Sequence, residues 1–228
     1  MVTRNDCLPF VPAQRIQQSI SSAAEKRALV WMAQRTPAWI NSDHLTLLGF
    51  AGQVLAGVFY ALARWDRRAL LVVIACLALN WLGDSLDGTL ARVRQKQRPR
   101  YGFYVDHIVD TFAAFFLMGG LAVSGYVHPA VAMGMLIAFL MMSIEVYLAS
   151  YTVGSFRLSY GGLGPTEIRI LLAIGNVVLL YHPTVTLFGK QFRLFDVGGV
   201  VAIGAMLLML IIASVAHTAQ LYDEEKAA

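Results

Sequence analysis

Residues 84–110 read DSLDGTLARVRQKQRPRYGFYVDHIVD and carry four aspartates in two pairs. Asp84 and Asp87 are three residues apart, and Asp106 and Asp110 four apart. Either spacing puts both members of a pair on one helix face. Between the pairs runs a basic stretch, Arg92, Arg94, Lys96, Arg98 and Arg100. Outside them the chain turns apolar: ALLVVIACLALNWLG precedes Asp84 and TFAAFFLMGGLAV follows Asp110. The stretch is therefore expected to be the polar junction of two membrane helices. These should be antiparallel neighbours with both aspartate pairs at the same end.

The wider composition agrees. Of 228 residues, 57% are hydrophobic and 14% are charged, against about 25% charged in a soluble domain. The charge is gathered in clusters between long apolar runs, the pattern of several membrane spans. Six are expected, near 44–64, 68–91, 103–126, 129–152, 166–182 and 196–219; the fifth has the shortest apolar part. Residues 12–35 place Ile16, Ile20, Ala23, Ala24 and Trp31 at roughly helical spacing among polar residues. They read as an amphipathic helix, lying in the membrane interface or packed on the protein, and ended by Pro37. The fold class is thus an all-α integral membrane protein: six transmembrane helices and an N-terminal interfacial helix. Residues 1–43 form the arm and that helix, 44–220 the membrane domain, and 221–228 a tail.

Arg64, Arg67, Arg68, Lys190 and Arg193 fall on one side of these spans, and the remaining 13 of 18 basic residues on the other. The positive-inside rule makes the richer side, with both termini and both aspartate pairs, cytoplasmic. The expected location is a multi-pass protein of a bacterial inner membrane. The first 15 residues lack the apolar core of a signal peptide, so insertion is expected to depend on the first span. Cys7 and Cys76 lie in a polar arm and an apolar run, which argues against a disulfide. A net charge of +4 with this hydropathy suits anionic lipid headgroups rather than nucleic acid.

Four carboxylates gathered at a membrane boundary repel each other and resist desolvation, so a compensating cation is expected. Arg92 offsets one charge. Hard oxygen ligands suit Mg²⁺ or Mn²⁺ for the rest, and four carboxylates suffice for two ions that clamp a diphosphate. Gly88 and Ala91 follow on the aspartate face, and Gly102 precedes Asp106 by four. These small residues either admit a ligand close to the helix or pack helices together.

The full pattern is Asp84, two residues, Asp87-Gly88, two residues, Ala91-Arg92, nine residues, Gly102, three residues, Asp106, three residues, Asp110. It closely resembles the signature of the CDP-alcohol phosphotransferase family of membrane enzymes. The resemblance is dense over 84–110 and looser over the six-helix plan. It implies attack by an alcohol hydroxyl on the β-phosphate of a CDP-linked donor, with release of CMP, in phospholipid biosynthesis. It implies metal ligation by Asp84, Asp87, Asp106 and Asp110, with Asp110 also the usual base, and nucleotide contacts from Gly88, Ala91, Arg92 and Gly102. Thr46 sits where members carry Pro-Asn-x-Leu-Thr; this chain keeps Leu45 and Thr46 but has Ser42 and Asp43. The implied partners are a CDP-linked donor (CDP-diacylglycerol or a CDP-amino-alcohol), an alcohol acceptor, membrane lipid and a second copy of the chain.

His107 makes Asp-His-x-x-Asp, similar to the amino-alcohol branch of the family, where histidine is a second candidate base. Gly164-Pro165-Thr166-Glu167-Ile168-Arg169 also resembles that branch; Glu167 and Arg169 either face the acceptor or serve the helix start. Glu145, inside a span, either lines the acceptor pocket or pairs with a neighbour such as Arg169. Gln53 and Asn80 either line the cleft or bond between helices. His44 is read as a cap or packing residue, and His128 and His182 as turn residues. Two competing classes remain. A membrane prenyltransferase would carry its aspartate motifs far apart in sequence. An ion or proton transporter would carry its ionisable groups near the bilayer midplane.

Overall fold

The computed structural model describes residues 14–16, 22–157 and 164–226. Helices dominate it: α1 (Ser22–Arg35), α2 (Ser42–Leu62), α3 (Ala69–Val93), α4 (Pro99–Val123), α5 (Pro129–Thr152), α6 (Pro165–Tyr181) and α7 (Leu194–Lys226). Their starts are written locally. Pro99, Pro129 and Pro165 open α4, α5 and α6, where a missing N–H costs nothing. His44 accepts the Asn41 N–H at 3.1 Å and caps α2. His128 accepts the Ala130 N–H at the start of α5, and His182 caps the end of α6. The capping and turn readings of these histidines hold.

Five helices, α2, α3, α4, α5 and α7, are long and apolar enough to cross a membrane. Their outer faces carry exposed Phe112, Phe115, Ile137, Leu148, Ile211 and Val215, as lipid contact requires. The fifth expected span is α6, which has 17 residues, at the lower limit of about 17–25 for a crossing. Among the described residues, five helices meet the length and composition of a span, and α6 falls just short. α7, at 33 residues, is about 50 Å long and outruns a hydrocarbon layer of about 30 Å. It runs through Lys226, so residues 221–226 of the expected tail are helical.

The described residues are helical almost throughout, as expected, with two short strand pairs beside the helices. Gln14–Ile16 (β1) is a strand paired in parallel with Ser155–Arg157 (β2), where a continuous helix over 12–35 was expected. Residues 12, 13 and 17–21 lie outside the described part. Ile16 fits helical periodicity, but the partner that makes it a strand lies some 140 positions away. Thr184–Leu187 (β3) and Lys190–Arg193 (β4) form an antiparallel hairpin. Phe188 and Gly189 both have positive φ at its tip, the backbone that a two-residue hairpin turn needs.

α2 is the central helix and packs on both α3 and α4, whereas α3 and α4 share little or no contact. The two helices expected as neighbours thus meet through their aspartate side chains across a gap rather than by close backbone packing. The cause is steric. A Cβ on Gly83 would stand 2.4 Å from the Gly49 nitrogen, and one on Gly120 1.9 Å from the Gly57 oxygen. Backbones touch at both places, so α2 draws α3 to one flank and α4 to another. Beyond the glycines, Tyr60, Leu70, Val73, Leu117, Leu121 and Val127 fill a buried core. A second cluster joins Leu29 and Ala33 of α1 to Leu45, Leu86 and Leu90. α1 is therefore packed on α3 through one face, while Trp31 on its other face stays exposed.

Gly120→Ala is expected to destabilise the detergent-solubilised protein by roughly 1–3 kcal/mol or more, because its methyl group meets backbone that cannot yield. At Gly119 an added Cβ meets nothing within 4 Å, and Gly119→Ala should be neutral or stabilising by up to about 1 kcal/mol. Thermal melts of the two variants check the contrast.

Candidate active site

Three helices line one cleft. α2 contributes Thr46, Gly49 and Phe50; α3 contributes Asn80, Asp84 and Asp87; α4 contributes Asp106, Val109, Asp110 and Ala113. On each helix these residues follow the i, i+3, i+4, i+7 spacing of a single stripe. The gap exists because α2 holds α3 and α4 apart while keeping both close to itself.

Across that gap, one carboxylate oxygen each from Asp84, Asp106 and Asp110 lies within 4.8 Å of the others. These are hard, anionic oxygens from two helices, close enough to share an ion, and they fit Mg²⁺ or Mn²⁺. Asp87 lines the same cleft but is turned differently. Its carboxylate accepts the Thr46 hydroxyl at 2.6 Å and the Gly88 N–H. Ser42 ties its backbone carbonyl to α2 at 3.0 Å. The Ser42 and Asp43 that depart from the family pattern therefore have structural partners here, since Asp43 pairs with Arg98.

Among the described residues, no other helix packs closely on Gly88 or Gly102. A Cβ on Gly88 would meet only the Arg92 side chain, at 3.7 Å, and one on Gly102 nothing within 4 Å. Ala91 is half-buried one turn beyond Asp87. Arg92 is exposed and donates to the Thr89 hydroxyl at 3.0 Å. His107 is not among the residues lining the cleft. Its Nδ1 donates to the Phe103 carbonyl at 2.5 Å, and its ring lies against Phe103 and the edge of Tyr147. Nδ1 stands 4.0 Å from Asp106.

The side chains that sequence left ambiguous fall into separate groups. Arg169 faces the site: it donates to Asp84 at 2.6 Å and through Nε to Asn80 at 2.7 Å. Asn80 in turn donates to the Gly49 carbonyl at 2.9 Å, so it both lines the cleft and bonds between helices. Glu167 accepts the Gly164 N–H at 2.9 Å and caps its own helix. Glu145 does not pair with Arg169; His217 of α7 stands 2.6 Å from it.

One organising residue had no sequence signal. Glu25 of α1 accepts hydrogen bonds from Trp81 at 2.8 Å, Ser85 at 3.4 Å and Thr166 at 2.8 Å. It thereby joins α1, α3 and α6 next to Asp84. Arg94, read first of all as a topology signal, grips the carbonyls of Thr36, Pro37 and Ile40. It fixes the path from α1 into α2.

With this geometry in hand, the comparisons are decisive about family. A model described as CDP-alcohol phosphatidyltransferase matches residues 39–219, most of the chain. The chain belongs to the CDP-alcohol phosphatidyltransferase family. The matched region contains α2 to α6 and most of α7, with every cleft residue named above. A curated relative is the inner membrane protein YnjF of Escherichia coli (strain K12), 52% identical over 56 residues. That stretch is 25% of either chain, so the match spans about a quarter of the relative's length. CDP-alcohol phosphatidyltransferases are transferases of phosphate-linked groups in phospholipid synthesis. Membership favours that reading over the prenyltransferase and transporter alternatives. The apolar helices and the inner-membrane relative agree on an integral membrane protein.

Glu25→Ala should strand three donors at a helix junction, at a cost of roughly 1–3 kcal/mol. The expected result is a lower melting temperature, with Glu25→Gln losing less because it still offers an acceptor oxygen.

Proposed function

We propose that this protein transfers a phosphate-linked group from a CDP-activated donor, CDP-diacylglycerol or a CDP-amino-alcohol, to an alcohol acceptor and releases CMP. The observation that carries the reading is the convergence of Asp84, Asp106 and Asp110 oxygens within 4.8 Å in a cleft between α2, α3 and α4. Those three residues would hold a divalent ion. Asp87, on the same cleft wall, is the fourth proposed ligand of a two-ion site. A bound Mg²⁺ or Mn²⁺ would supply charge neutralisation for a diphosphate.

The chain's own groups have the following proposed work. Thr46, Gly88, Ala91, Arg92 and Gly102 form the donor surface. The open space at Gly88 and Gly102 admits a nucleotide close to the backbone, and the Arg92 guanidinium suits phosphate oxygens. The acceptor hydroxyl oxygen bonds to the β-phosphorus as the bond from that phosphorus to the bridging oxygen breaks. CMP leaves with the electron pair. The hydroxyl proton passes to Asp110, which lines the cleft, in general base catalysis. His107 is the second candidate base. Its position outside the cleft lining and its bond to the Phe103 carbonyl count against it.

In this reading α6 is the sixth span, since its 17 residues reach about 25 Å. α1 lies at the cytoplasmic interface with Trp31 outward, the cleft opens to the cytoplasm, and lipid reaches it sideways. The homodimer expected from the family belongs to the same proposal.

Purified protein in detergent with Mg²⁺ and labelled CDP-diacylglycerol or CDP-choline, offered a panel of alcohols, should release CMP with one donor. Asp106→Asn should reduce release to background; retained activity refutes the metal assignment. Asp110→Asn should still bind donor yet turn over about 10²–10⁴-fold more slowly. If His107→Ala fails in that way instead, the base is reassigned.

For topology, single cysteines replacing Lys96 and Lys190 in a background without Cys7 and Cys76 are labelled from outside intact cells. Position 190 should react and position 96 should not. The reverse pattern overturns the orientation.

A further inference from the structure

The Asp84 carboxylate already has a cation. Arg169 Nη2 donates to Asp84 Oδ2 at 2.6 Å, and both side chains are largely withdrawn from solvent, at 15% and 25% exposure. The guanidinium does not hang on this bond alone. Its Nε is held by Asn80 Oδ1 at 2.7 Å, and Asn80 is anchored to the Gly49 carbonyl at 2.9 Å. The start of α6 is pinned as well, by Thr166 on Glu25 at 2.8 Å. Arg169 is thus a preset positive charge at the edge of a group of three converging carboxylates.

We propose that Arg169 is a built-in counter-ion, which holds the acid cluster together while no divalent ion is bound and is driven off Asp84 when one binds. This rests on the metal-dependent reading above and deepens it. Two effects of opposite sign compete. A hydrogen bond to a ligating carboxylate orients it and strengthens metal binding, and losing such a partner typically weakens affinity 10–100-fold. Against this, a divalent ion at Asp84 stands close to the guanidinium. Their repulsion carries twice the charge product of two monovalent groups and falls only with the first power of distance. In a half-buried cleft water screens it weakly, so repulsion exceeds the value of one orienting bond. Asn80 supplies the second resting place: a guanidinium with five donors can keep its Nε bond while Nη2 leaves Asp84.

The test reads metal binding, not turnover. Mn²⁺ affinity of donor-free protein is measured in detergent by paramagnetic resonance of the free ion. Arg169→Gln should bind Mn²⁺ about tenfold more tightly than the unaltered chain, and Arg169→Lys, which keeps the charge, should show little gain. Equal or weaker binding by Arg169→Gln overturns the proposal and makes Arg169 an orienting residue only. A second measurement needs no variant. Phenylglyoxal modification of Arg169 in the unaltered protein, followed by peptide mass spectrometry, should speed up when Mn²⁺ is added; an unchanged or slower rate also overturns it. If the unaltered protein and both variants bind no Mn²⁺, the metal-dependent reading of the site fails, and this inference with it. Tight binding without the Arg169 effects leaves that reading intact and removes only the counter-ion role.

Discussion

Backbone contact between α2 and its two neighbours is the constraint on which the rest of the structure rests. At Gly49–Gly83 and at Gly57–Gly120 there is no room for even a methyl group. Inside a membrane no hydrophobic effect separates helix contact from lipid contact, so close van der Waals approach carries association. By touching α3 at one level and α4 at another, α2 fixes both. It also leaves α3 and α4 with almost no contact of their own. The cleft is the space this arrangement cannot fill, and its walls are the stripes that α2, α3 and α4 turn toward it.

Into that space the chain directs negative charge. Asp84, Asp106 and Asp110 approach one another far more closely than water-exposed carboxylates need to, and the surrounding polar groups hold them there. Asp87 is steadied by Thr46 and by the Gly88 N–H, and Asp84 by Arg169. A layer behind them is equally ordered. Asn80 links Arg169 to α2, and Glu25 binds α1 and α6 to α3 within one turn of Asp84. Such a network fixes the acidic groups in place before any partner arrives. It also explains why α1 packs beside the cleft: Glu25 closes the outer ring of hydrogen bonds.

Other polar groups within the helices lie apart from this ring. Glu145 meets His217 between α5 and α7, and Asn176 donates to Tyr60 at 2.8 Å in the buried core. Both are helix-to-helix bonds of the sort that apolar surroundings favour. They tie α7 to α5 and α6 to α2, the outer helices to the inner ones.

What the amino-acid order determined by itself was everything with a short period or a fixed spacing. The five long apolar helices follow from hydropathy, and the start of α6 from Pro165. The aspartate pairs follow from three- and four-residue steps, and the family from eight positions within residues 84–110. These signals are local, so they survive without knowledge of distant partners. The tertiary structure alone decided that α3 and α4 stand apart around α2, that residues 14–16 form a strand with 155–157, and that Asp87 turns to Thr46 while Asp84 takes Arg169. It alone gave Glu25 its place among three helices. Each depends on groups between roughly 30 and 140 positions apart. Which of several equally polar side chains meets another across such a distance is settled by backbone packing, and here that packing was set by where glycine permits two helices to touch.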